Sequence, residues 1–280
     1  MLSPLVIIIT IVFLFGAVIG SFLNVCIHRI PLGESIVRPR SRCPGCRKPI
    51  PAYHNIPIFS YLILRGKCSS CGLPISWRYP AVEILTGILL TGLFLVYGFS
   101  SPFFVNSVFF SLLVILIFID LNERILPDIF TLGGIGAGLI LAPLQDPGFF
   151  PTKNIFLLEI PILQTMSNSL FGSLLGILFG AGFLWGVAWL YQKFRKIQGM
   201  GFGDVKMIAM IGAFTGWQLT WLTILIGSLV GALAGGIYMF LKGRDRKYEL
   251  PFGTFLGFAA ILAVLFGTDI INWYFNLPVF

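Results

Sequence analysis

LVIIITIVFLFGAVIGSFLNVC, residues 5–26, runs for 22 residues without a charge. About 20 consecutive apolar residues let an α-helix cross the hydrocarbon of a bilayer, so this stretch reads as a membrane span. No basic residue stands ahead of it and no small-residue cleavage site follows, which predicts a retained helix with its N-terminus facing outward. The same reading places further spans near 80–98, 103–120, 128–144, 167–191, 205–217, 219–241 and 252–274. The expected fold is an all-α polytopic membrane protein of about eight transmembrane helices. Composition agrees: 57% of residues are hydrophobic and 11% charged, where a soluble domain carries about 25% charged residues. The sixth span is short, and Gly216-Trp217 separates it from the seventh.

The net charge of +8 raises nucleic acid as a partner, and its distribution excludes it. Of 19 basic residues, nine lie between Arg29 and Arg78, Arg124 stands alone, four lie between Lys193 and Lys206, and four between Lys242 and Lys247. Basic loops remain on the cytoplasmic side. With the N-terminus outside, alternate loops face the cytoplasm, and those loops hold all but Lys153. The basicity is topological, and the partner it points to is the lipid bilayer.

Residues 27–79 form the longest connection, polar and rich in proline, and the one segment able to make a small domain of its own. It carries Cys43-Pro-Gly-Cys46 and Cys68-Ser-Ser-Cys71. Two CxxC pairs about 20 residues apart match a zinc ribbon, in which four thiolates complete a tetrahedron. A segment with so little core gains its fold from the metal. A redox role and unligated thiols are the alternatives; disulfides are disfavoured in a reducing cytoplasm. Cys26 reads as a packed core residue, His28 and His54 as structural.

Eleven acidic residues serve the whole chain. Asp146, Glu159 and Asp269 fall on the outer side. Glu34, Asp245 and Glu249 sit in basic loops where local ion pairing suffices. Glu83, Asp120, Glu123, Asp128 and Asp204 remain, all at the ends of apolar spans. A charged residue inside a span costs about 2.5–3.5 kcal/mol at the helix centre and less near the interface, so such acids are functional candidates. Asp120 follows the apolar run 112–119, and Pro127-Asp128 opens the next span after a tight turn. Asp204 ends Gly199-Met-Gly201-Phe-Gly203-Asp204 and opens span six. The alternating glycines are expected to allow backbone conformations closed to other residues and to leave the backbone bare for a peptide. Lys206 places a positive charge two residues beyond Asp204. By charge alone, either Asp120 or Asp128 could face Asp204.

Asp120-x7-Asp128 with Pro127, together with Gly201-x-Gly203-Asp204, resembles the bacterial type IV prepilin leader peptidases, GxGD-class aspartyl proteases of the membrane. The resemblance extends to Gly20-Ser-Phe-Leu-Asn-Val25, the two CxxC pairs, Arg78-Tyr79-Pro80 before Glu83, and Pro251-Phe252-Gly253. The last motif usually continues with proline where this chain has Thr254, a change expected to be tolerated. The resemblance implies cleavage of the basic leader from prepilins or pseudopilins at the cytoplasmic face of the inner membrane. Methylation of the new N-terminus with S-adenosylmethionine then follows. It maps the catalytic pair onto Asp120 and Asp204 and associates Glu83 with methyl transfer; Asp128, Gly201, Gly203 and Lys206 read as supporting residues around that pair. The chain then divides into a first helix (1–26), a zinc-ribbon-like cytoplasmic domain (27–79) and a transmembrane peptidase core (80–280). A transporter with carboxylates at helix ends is the competing reading. It predicts inverted repeats and mid-membrane acids, which the sequence does not contain.

Overall fold

The computed structural model describes residues 3–144, 170–196, 200–242 and 250–275. Among them lie helices α1 (Pro4–Arg29), α2 (Phe59–Ile63), α3 (Arg78–Tyr97), α4 (Ser101–Glu123), α5 (Asp128–Leu141), α6 (Leu170–Arg195), α7 (Phe202–Lys242) and α8 (Phe252–Phe275). Lipid offers no hydrogen bonds, so a spanning backbone must satisfy its own, which the helix does. Six of these helices are long and apolar enough to cross a membrane, and α5 with its short continuation to Leu144 is a shorter apolar helix. α7 contains two expected spans: at Gly216 the backbone leaves the helical region (φ 69°, ψ 177°). With that break taken into account, each of the eight expected spans has its helix. Residues 167–169, the predicted start of the fifth, lie outside the described residues, as do Asp146, Glu159, Asp245 and Glu249.

The chain forms two compact units, Met1–Phe103 and Phe104–Phe280. In the first, α1 packs on α3 by backbone contact. A Cβ on Gly16 would fall 2.8 Å from the Cα of Gly87, and one on Gly20 would fall 2.7 Å from the Cα of Glu83. Small residues at such crossings let helices approach closely in lipid. Asn24 Nδ2 donates to the carbonyl of Tyr79 (3.0 Å) and ties the end of α1 to the start of α3. At the other end, Gly98 adopts a left-handed φ of 61° after α3, and Phe94, Phe99 and Phe103 cluster beyond it.

In the second unit α7 is the hub, packed against α5, α6 and α8. Gly176 and Gly212 meet backbone to backbone where α6 crosses α7, and a Cβ on either would run into the other. Gly138 seats α5 on Ala213, and Phe109 of α4 stacks on Phe214 at 4.6 Å. Two buried hydroxyls flank the Gly216 break, each bonded to the carbonyl four residues back: Thr215 donates to Ile211 O (2.8 Å) and Thr220 to Gly216 O (2.6 Å). Residues 202–215 span about 21 Å at 1.5 Å per residue, short of the roughly 30 Å hydrocarbon.

Candidate active site

α4 carries Asp120 in its last turn and α7 carries Asp204 in its first. Ile117, one turn before Asp120, and Met207, one turn after Asp204, both close on Gly257 of α8. A Cβ at Gly257 would collide with Ile117 and lie 3.2 Å from the Cε of Met207. Leu126, in the turn after α4, fills the space beside both acids' neighbours. A Cβ at Gly203 would sit 3.1 Å from it and one at Gly253 would sit 3.0 Å from it. This packing brings Asp120 and Asp204 within Coulombic range of each other.

Asp120 is 5% exposed. Its Oδ2 accepts the backbone N–H of Thr254 at 2.7 Å and the Thr254 hydroxyl at 2.9 Å. Asp204 is half-buried, and its N–H donates to Gly201 O at 3.2 Å. Two carboxylates near each other are the arrangement that acid–base chemistry on one water requires.

Asp128 is turned elsewhere. Its exposed carboxylate accepts from Lys206 Nζ at 2.6 Å, so the charge expected beside Asp204 is engaged at the start of α5 instead. Gly201 and Gly203 depart from expectation too: neither takes a left-handed φ. Gly203 is needed because Leu126 packs against it, whereas Gly201 is exposed and a Cβ there would meet only Asp204 Oδ2, at 3.6 Å.

Glu83 lies in the first unit, 8% exposed. Its Oε2 accepts the N–H of Ile58 at 2.7 Å. Ile58 has φ 63° and ψ −54°, and the N–H of Phe59 closes onto Pro57 O at 2.6 Å. This is a γ-turn, strained for a β-branched residue, and a buried carboxylate holds it. Nothing local in the sequence marks Ile58, and the motif that ends at Thr254 does not reveal its partner, because each contact joins distant residues.

The four cysteines come together. Cys43 N–H donates to Lys48 O and Cys68 N–H to Leu73 O, and each pair ends on a left-handed residue, Arg47 (φ 57°) or Gly72 (φ 71°). The two halves are thus the same knuckle built twice. All four Sγ atoms lie within 4.8 Å of one another, with Cys43 and Cys71 at 3.7 Å. Tetrahedral Zn–S bonds of about 2.3 Å place sulfurs about 3.8 Å apart, so the donor set fits a metal ion. The backbone N–H groups of Cys46 and Gly45 hold the Cys43 thiol down to about 6. Cys71 receives a similar bond from the backbone of Leu73, yet burial and the neighbouring thiols of Cys43, Cys68 and Cys46 push it up to about 11. Four crowded thiols do not ionise together unless a cation joins them.

A family model described as the type IV leader peptidase family matches residues 107–236, and one described as the bacterial peptidase A24 N-terminal domain matches residues 14–97. The prepilin leader peptidase/N-methyltransferase of Aeromonas hydrophila is 34% identical, with 95% of this chain and 93% of that protein covered. The protein of that name from Pseudomonas aeruginosa is 35% identical over the same shares, 95% and 93%. The one from Myxococcus xanthus is 39% identical over 83% of this chain and 63% of its own. No solved structure matches the chain. Asp120 and Asp204 fall inside the longer match, the four cysteines and Glu83 inside the other, and Thr254 beyond both.

Proposed function

We infer the chemistry from one premise: the chain belongs to the type IV leader peptidase family. It is a multi-pass enzyme of the inner membrane, a prepilin leader peptidase that also carries the N-methyltransferase activity named for its relatives. Membership tells against the transporter reading. The substrates are type IV prepilins or pseudopilins, whose leader junction reaches the acids from the cytoplasmic side. The basic loops support that side.

The observation that carries the proposal is that Asp120, in the last turn of α4, and Asp204, in the first turn of α7, lie within Coulombic range of each other. One carboxylate takes a proton from the attacking water while the other, protonated, polarises the scissile carbonyl. The water oxygen bonds to the carbonyl carbon and the resulting diol collapses. The C–N bond breaks and the released amine takes up the proton. Asp120 Oδ2 already accepts two hydrogen bonds, so Oδ1 is left to face the water. The exposed Gly201 beside Asp204 supports an extended peptide lying there. In this proposal residues 1–26 anchor, 27–79 form the metal-bound domain and 80–280 the peptidase core.

The metal at Cys43, Cys46, Cys68 and Cys71 is structural zinc, which closes the loop domain. S-adenosylmethionine supplies the methyl group for the second reaction. A cavity of about 350 Å³ lined by Phe22, Val25, Arg29 and Arg40 has the volume of a small-ligand site but no carboxylate for ribose hydroxyls, and methyl transfer rests on the family alone. Glu83, holding the strained turn at Ile58, is the residue of this region we associate with it.

Incubation of the purified protein with a prepilin in detergent is expected to shorten the substrate by its leader. Asp204→Ala is expected to leave it uncut. Cleavage by that variant would end the aspartyl-protease reading.

A further inference from the structure

We propose that Thr254 is a positioning residue that fixes which oxygen Asp120 offers to the reaction. The inference rests on the reading of Asp120 as catalytic. Thr254 is 4% exposed and stands in the first turn of α8, where backbone N–H groups have no partner within their own helix. Its N–H (2.7 Å) and its hydroxyl (2.9 Å) converge on one atom, Asp120 Oδ2. The hydroxyl's other acceptor, Ile117 O, is farther at 3.4 Å. Gly253 makes the approach possible, since a Cβ there would lie 3.1 Å from Oδ2 and 3.0 Å from Leu126. Among the described residues the hydrogen bonds that Asp120 accepts from side chains and turns of the chain all fall on Oδ2. Two donors from one residue fix both the rotation of the carboxylate and its distance from α8. Proline, which the resemblance leads one to expect at 254, would offer neither donor. Hydrogen bonds to a charged group are the strong ones, and their loss would leave the carboxylate free to turn away from the water.

The test measures prepilin cleavage by the full chain in detergent. Thr254→Val keeps the shape and the N–H but removes the hydroxyl. It is expected to lower kcat about tenfold, the size expected for one hydrogen bond to a charged group, with KM within about twofold of the parent. Thr254→Ser, which keeps both donors, is expected to stay within about threefold of the parent kcat. Parental kcat in Thr254→Val beside an inactive Asp120→Asn would overturn the proposal and leave the protease reading standing. Equal slowing in Thr254→Ser and Thr254→Val would overturn it too, because the methyl group and not the hydroxyl would then be at work. Cleavage by Asp120→Asn would bring down the reading beneath it. Where Thr254→Val does not accumulate in membranes, Thr254→Cys decides: an intermediate kcat supports the proposal and a parental one overturns it.

Discussion

Asp120 and Asp128 stand on either side of one turn, and their surroundings separate them. Asp120 is buried, held by Thr254 and close to Asp204, while Asp128 is exposed and paired with Lys206. Asp120→Asn is therefore expected to reduce prepilin cleavage by about a thousandfold or more, as loss of a member of a catalytic unit does. Asp128→Asn removes a half-exposed ion pair, worth at most about 1 kcal/mol, and is expected to cost less than about tenfold. Steady-state cleavage rates check both, and equal losses would remove the distinction. From the sequence, charge alone left the two acids equivalent. Chain spacing made Asp204 legible, because the glycine-rich turn and its acid are contiguous. Thr254 was not legible: its bond to Asp120 crosses 134 positions, and no local pattern encodes such a contact. Lys206 was read as a neighbour of Asp204 because they are close in sequence, yet on a helix residues i and i+2 do not face each other.

Among the elements, α7 shows most clearly what a helix must do when it breaks in lipid. Gly216 takes φ 69° and ψ 177°, a region essentially confined to glycine that costs other residues about 1–3 kcal/mol. Gly216→Ala is expected to lower stability by about 1 kcal/mol, read as an earlier midpoint in denaturing-detergent unfolding; an unchanged midpoint would show that the break is not needed. The break itself was legible, since a short apolar run ended at Gly216-Trp217. The backbone angles at the break were not, since the sequence shows a glycine but not the φ it takes. The glycines before Asp204 teach the converse lesson. Their spacing suggested unusual backbone angles, whereas Gly203 serves by letting Leu126 lie against it.

For the molecule as a whole, the helices and the loop domain obey different solvents. The spans were legible because lipid demands long apolar helices and little else. The loop domain was legible through its cysteines, since it has no apolar core to read. Its fold should depend on metal accordingly. Metal analysis of the purified protein is expected to find one zinc per chain, and strong chelation is expected to expose the loop to protease while the membrane helices stay protected. Ligation requires thiolates. With Cys43 ionising near 6 and Cys71 held near 11 before a cation arrives, binding at neutral pH must release protons. Affinity should therefore weaken as pH falls from about 8 toward 6, measured by competition with a coloured chelator. A pH-independent affinity would argue against thiolate ligation.

The closeness of α1 to α3 has a further consequence. Gly16, Gly20 and Asn24 recur every fourth position along one side of α1, against α3, while Phe15, Val18 and Phe22 on the other sides stay exposed. The first helix is thus no interchangeable tether. Greasy substitutions on its outer flank should pass unnoticed, but a borrowed anchor lacking that inward stripe would keep the protein in the membrane and still leave α3, with the carboxylate it carries, without its mate.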